Sequence, residues 1–117
     1  MTTAITRLPF SGSADGQGIK VAATTSPGTT VHTAHATATD EVWLWCVNSS
    51  ASVMKLTVQF GGTTDPDDSI EAGIDPESGL FLIVPGLVLS NSKVVRAFAA
   101  TANVLAVHGY VNRLVVS

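Results

Sequence analysis

The chain is short of charge. Only 13% of its 117 residues are Asp, Glu, Lys or Arg, about half the usual ~25% of globular proteins. Freely diffusing monomers rely on charged side chains to keep their surfaces apart. The shortage, filled by Thr, Ser, Ala and Gly, therefore points to a surface that neighbours cover. Basic residues are the scarcest kind: Arg7, Lys20, Lys55, Lys93, Arg96 and Arg113, spread along the chain with a net charge of −3. No basic patch can be read from them, which argues against direct nucleic-acid binding. The one cysteine, Cys46, excludes an intrachain disulfide framework. No apolar run approaches the ~20 residues of a membrane span, so no membrane partner is expected. Residues 1–7 lack the apolar stretch of a secretory signal, and the expectation is a chain made in a cytoplasm. No window holds a capped 3.6-residue stripe, so little or no helix is expected.

What the chain does have is short β-segments between turn formers. Its length fits one domain. A chain of this size buries roughly two-thirds of its unfolded surface without needing a disulfide or a metal. Residues 1–18 show no periodicity, and Ser11-Gly12-Ser13-Ala14-Asp15-Gly16 is turn-rich. This stretch is read as an extended N-terminal arm, anchored by Leu8-Pro9-Phe10, ahead of a β-sandwich over residues 19–117. Strands are expected at Ile19–Thr25, Thr29–Ala36, Glu41–Asn48, Val53–Phe60, Ile70–Ile74 and Leu80–Val84, with an edge piece at Leu87–Leu89. Lys93–Ala100 and Val104–Arg113 read as a terminal hairpin. Turn signals every 8–12 residues mark a sandwich or barrel. The fold class is all-β: an antiparallel sandwich of about eight strands. The Cys…Trp…Cys spacing of immunoglobulin domains is missing, which favours a jelly-roll-like connection.

Chemistry finds little support in these residues. His32 and His35 are three apart in an expected strand, so they point to opposite faces and cannot share a metal there. His108, between Val107 and Gly109, reads as a structural histidine. Asp65, Asp67, Asp68 and Glu71 offer oxygens to calcium, but their spacing is not that of an EF-hand loop, and Asp-Pro-Asp is ordinary turn chemistry. Cys46, mid-strand between Trp45 and Val47, reads as buried and inert. No Gly-x-Ser-x-Gly elbow and no phosphate-binding glycine loop occurs. Neither a catalytic residue, a metal ligand nor a cofactor is assigned, and the chain is not read as an enzyme.

Contact features are more telling. In Glu41–Asn48, Val42, Leu44 and Cys46 point one way and Trp43, Trp45 and Val47 the other. A strand with one wet face alternates apolar with polar; this one is apolar on both, so both faces need a cover. Leu80–Val84 and Leu87-Val88-Leu89 raise the same demand, as does the apolar run Leu114-Val115-Val116. An oligomer with closed symmetry answers it. The residues expected at interfaces are Leu8, Phe10, Trp43, Trp45, Leu87, Leu114 and Val116.

The order of segments carries a resemblance. A Leu8-Pro9-Phe10-Ser11-Gly12-Ser13 start leads to Ile19-Lys20-Val21-Ala22-Ala23-Thr24. Then follow Asp40-Glu41-Val42-Trp43-Leu44-Trp45 and Phe60-Gly61-Gly62-Thr63-Thr64. Val95-Arg96-Ala97-Phe98-Ala99-Ala100 and Gly109-Tyr110-Val111-Asn112-Arg113 close the series. From about Thr6 to Arg113 this resembles small virion structural proteins of tailed bacteriophages, of the head-decoration or cement type. The resemblance is one of texture and segment order. It implies a mechanical role: binding the outer surface of the capsid and bracing the shell. The implied partners are the major capsid protein and further copies of the chain, often as trimers. It implies no active site. Two alternatives stay open. One is a tail or head–tail component of the same kind. The other is a carbohydrate-binding sandwich in which Trp43, Trp45 or Tyr110 stacks on sugar rings.

Overall fold

The computed structural model describes residues 2–116, and no helix occurs among them. Nine strands follow in chain order: β1 (Thr3–Pro9), β2 (Ile19–Lys20), β3 (Thr29–Thr33), β4 (Thr39–Asn48), β5 (Met54–Phe60), β6 (Ser69–Ile74), β7 (Phe81–Leu89), β8 (Val94–Ala99) and β9 (Leu105–Val116). They form two antiparallel sheets packed as a sandwich. The front sheet runs β1-β9-β4-β7, with β2 also on β9; the back sheet runs β3-β8-β5-β6. The pairing is nested. β5 pairs with β6, β4 with β7, β3 with β8, and β1 and β2 with β9, like one long hairpin rolled up.

Strand alternation decides what enters the core. Along β4, Asp40, Val42, Leu44, Cys46 and Asn48 are buried and the residues between them are half-exposed. In the back sheet Leu56, Val58, Val95, Ala97 and Ala99 face them, almost wholly excluded from solvent. Phe10 completes this core, only 2% exposed. Its ring lies over Gly109 of β9. A Cβ there would sit 2.8 Å from Phe10 Cζ and 2.0 Å from the Trp43 carbonyl oxygen, and φ is +152°. Only glycine suits this place, and the aromatic ring fills the space that a β9 side chain would otherwise take.

Three expectations need correction. The N-terminal arm, read as lacking periodicity, contains a strand. Thr3–Pro9 is a strand, in unbroken register with β9 from Thr3 opposite Val116 to Pro9 opposite Tyr110. Thr6 and Arg7 interrupt any apolar alternation, and the strand forms because β9 offers a free edge. The terminal hairpin does not exist. β8 pairs with β3 and β5, and β9 with strands of the other sheet. The intervening turn bridges the two sheets, with Ala100 N–H donating to the Lys55 carbonyl and Asn103 N–H to that of Val21. Finally, Leu80–Val84 and Leu87–Leu89 belong to one strand, β7, which passes through Pro85-Gly86. Register shifts around Trp43 and Trp45 accommodate the extra residues, and Gly86 takes up a φ of +83°. Proline is tolerated because β7 is an edge strand. Two expected strands are also shorter: Ile19–Lys20 and Thr29–Thr33 remain of the first two.

Candidate functional site

The outer face of the front sheet gathers the aromatic residues. Trp43 and Trp45 lie on β4 opposite in sense to the buried Val42, Leu44 and Cys46. Their rings are nearly parallel, with centroids 6.2 Å apart and planes 23° from each other. Register sets Tyr110 beside Trp43, and its ring centroid is 5.8 Å from that of Trp45. Arg7 of β1 extends the row, its guanidinium carbon 4.5 Å from the Tyr110 centroid, within cation–π reach. On the β7 side the Trp43 ring rests against Gly86, where a Cβ would come within 2.9 Å of Cζ2. The row thus crosses all four main strands.

A polar chain holds it in place. Trp43 Nε1–H donates to Glu41 Oε1 at 2.6 Å. Asn112 Nδ2 donates to the same oxygen at 3.1 Å, and Arg7 Nε donates to Asn112 Oδ1 at 3.1 Å. The Trp43 bond, followed by that from Asn112, holds the Glu41 carboxyl below its ordinary value.

Around this centre the surface is apolar. Among the described residues, the exposed large hydrophobic side chains are Ile5, Val53, Leu80, Leu82, Leu87, Val88, Leu114, Val115 and Val116. All but Val53 belong to β1, β7 or β9 or, in the case of Leu80, to the residue just before β7. Ile5 is opposite Leu114, and Thr3 opposite Val116, in a ribbon that runs past the start of β4.

The structure divides the residues expected at interfaces. Trp43, Trp45, Leu114 and Val116 share the outer face of the front sheet. Leu87 is 44% exposed on the β7 edge, opposite Val42. Leu8 packs partly against the core, and Phe10 is inside it, where it serves this subunit. Arg7, Glu41 and Asn112 were not foreseen. Glu41 and Asn112 each stand two residues from an aromatic on the same face, Trp43 and Tyr110, and only that signalled them; nothing near Arg7 in the chain did.

A second constellation lies inside. Asp40 of β4, wholly buried, accepts from His32 Nε2 at 2.7 Å and from Arg113 Nε and Nη2 at 2.8 and 3.1 Å. The Ser11 backbone N–H donates to His32 Nδ1 at 3.0 Å. That bond assigns the ring proton to Nε2 and makes His32 a neutral donor to Asp40. Burial raises the Asp40 carboxyl, but bonds from Arg113 and then His32, with the charge of Arg113, outweigh it and leave the net shift downward. The trio ties the back sheet to the front. It lacks a nucleophile, because the imidazole nitrogen facing Ser11 is taken by a backbone N–H. Arg113 is 73 residues from Asp40 and farther still from His32, and no local pattern announced the trio.

Several other groups singled out in the sequence have structural surroundings that account for them. Burial pushes the Cys46 thiol up to about 12, so it remains protonated. His35 lies beyond the end of β3, and its Nδ1 accepts from the N–H groups of Thr37 and Ala38. In the acidic loop, Asp68 Oδ2 accepts from Thr64 N–H, while Glu71 pairs with Lys55 on the neighbouring strand. Among the described residues no three His, Cys, Asp or Glu side chains converge in a way that holds a metal. Comparison with known protein families, with curated proteins and with solved structures finds no match.

Proposed function

We propose that the chain is a virion structural subunit, a capsid decoration or cement protein that binds and stabilises a phage head shell as a homo-oligomer. One observation carries this reading. The outer face of the front sheet is an aromatic and apolar surface with no cover from its own chain, and exposed apolar patches of this kind mark contact sites. Tryptophan, tyrosine and arginine, which line its centre, are the residues richest in interface energy. The nested strand pairing also supports reading the sandwich as a jelly roll. Many copies on a symmetric shell turn modest single contacts into firm attachment. The major capsid protein is the partner in this reading, and the outside of the head the location.

The test uses heads assembled without this chain. Leu82→Asp with Val88→Asp puts charge on the rim of the face, away from the core. Binding to heads is expected to fall at least tenfold while the thermal melt stays intact. Unchanged binding removes the front sheet as the attachment surface. The row Trp43–Trp45–Tyr110 also favours a second reading, a carbohydrate-binding face. A glycan array decides it: saccharide binding lost in Trp45→Ala supports this alternative, and an empty array removes it.

A further inference from the structure

A sandwich has four sheet edges, and here they are unequal. An edge strand presents unpaired N–H and C=O groups that invite another strand, and proteins blunt such edges. β7 is blunted by two register shifts and by Pro85. β3 carries a register shift and is covered: Gly12 N–H donates to the Val31 carbonyl, and Ser11 Oγ accepts from Thr33 N–H. β6 is six residues long and shows Glu71 to solvent. Over Thr3–Arg7, β1 has no register shift and no proline, and its one charged side chain, Arg7, turns its guanidinium over the Tyr110 ring of the neighbouring strand. β1 is in unbroken register with β9, and every side chain from Thr3 to Arg7 is exposed, Ile5 by 70%.

We propose that β1 is the self-association edge of this protein, and that it pairs antiparallel with β1 of a second copy across a two-fold axis centred on Ile5. The inference rests on the homo-oligomer reading above and specifies its contact. Pro9 has no N–H to offer, and Leu8 is engaged with the core, which leaves Thr3–Arg7 as the pairing run. A centre at Ile5 sets it against Ile5 of the partner subunit, an apolar cross-strand pair. Thr3 then faces Arg7 of the partner subunit. The two Arg7 residues stand four positions apart along the strands, roughly 13 Å, which is beyond the reach of unscreened repulsion. An antiparallel strand paired with itself is isologous and therefore closes at two copies. The two-fold pair replaces the trimer that the family resemblance implies.

The geometry has a consequence for attachment. Residues opposite each other in an antiparallel pair point to the same side of the sheet. The two front sheets would merge with both aromatic rows on one side, facing one surface. A pair attaches with two faces for one encounter, and its avidity exceeds that of either subunit.

Cysteine cross-linking of the full chain tests the pairing, helped by the inertness of buried Cys46. Directly opposed strand residues have Cα separations of about 4.5–5.5 Å, inside the disulfide range. Under mild oxidation Ile5→Cys is expected to run as a covalent dimer. Val53→Cys, also well exposed but beside the back sheet, is the control and remains monomeric on the same gel. A mixture of Ala4→Cys and Thr6→Cys cross-links at least tenfold more than either variant alone, since those positions face each other across the axis. Ile5→Lys lowers the light-scattering mass to that of one chain with an unchanged circular dichroism melt. Cross-linking of Ile5→Cys no greater than that of Val53→Cys, in a wild-type protein that still forms oligomers, overturns the edge pairing and leaves the oligomer reading standing. A wild-type monomer at every concentration overturns both.

Discussion

The two outer faces of this sandwich follow different rules. The back sheet shows solvent what an antiparallel sheet normally shows. Lys55 and Glu71 pair on its surface, and Gln59 is buried there only because Ser26 and Gly28 bond to its amide. The front sheet shows Trp43, Trp45 and Tyr110, with apolar residues at both flanks. Both sheets feed one core, so folding alone does not call for the difference. A surface that is wet in the finished state gains nothing from such side chains, whereas a surface that is later covered does. The asymmetry is the strongest physical argument that this chain works as a part of something larger.

Removing the tie between the two sheets has the largest expected effect. Asp40→Ala leaves the Arg113 guanidinium and the His32 Nε2–H without their acceptor. Breaking a buried ion pair from one side costs about 4 kcal/mol, a large share of the 5–15 kcal/mol that holds a typical domain together. A denaturant titration measures it, and a loss under about 1 kcal/mol contradicts the assigned role of the trio. The same trio sets an acid limit. The folded-state value of Asp40 is lowered from its ordinary 3.8. Its contribution is therefore fully present above about pH 4 and fades as pH falls through the lowered value. Wild type is expected to lose stability in that acid range more steeply than Asp40→Ala.

How much of this was legible in the sequence depends on the range of the interactions. The two faces of β4 could be read from alternation alone, because side-chain direction in a strand has period two. The double-sided apolar character of β7 was visible as well, although its continuity through Pro85-Gly86 was hidden by two residues that usually end strands. Long-range pairings could not be read. Thr3–Pro9 has no strand signature of its own and depends on β9, more than a hundred residues away. The turn around Asn103 looks like a hairpin turn, and only the whole fold determines that it bridges the two sheets. Phe10 was noticed as an anchor, but its place over Gly109 needs the packed structure. The Asp40 trio joins two consecutive strands to a third that is 73 residues away, by side chains that each look ordinary in their own stretch.

An aromatic residue on each face gives a sharper comparison. Trp43 rests on Gly86 in the front sheet. Phe98 points outward from the back sheet, half-buried between neighbours that include Thr24, Lys55 and Thr57. Alanine at either position is expected to cost about 2 kcal/mol, in the range of ordinary single substitutions. Stability alone does not separate them. Under the proposed role, assembly does: Trp43→Ala is expected to weaken attachment to heads at least tenfold, and Phe98→Ala to leave it within a factor of two. Equal losses of attachment would mean that both faces are covered, and the contrast between the sheets would lose its functional meaning.

The smallest effect belongs to the back sheet's own surface pair. Lys55 and Glu71 are opposite-charge neighbours across β5 and β6, with side chains 60% and 52% exposed. Water screens such a pair, and ordering two long side chains offsets most of the attraction. Lys55→Ala is expected to shift stability by about 0.3 kcal/mol. Attachment should not change, because the charge sits on the back sheet, which the proposed role leaves in water. A thermal melt in low and high salt gives the check: the small difference between wild type and variant should shrink further as salt rises. A loss of attachment in this variant would place a partner on the back sheet, and the polar surface there would then need the explanation that the aromatic one has been given.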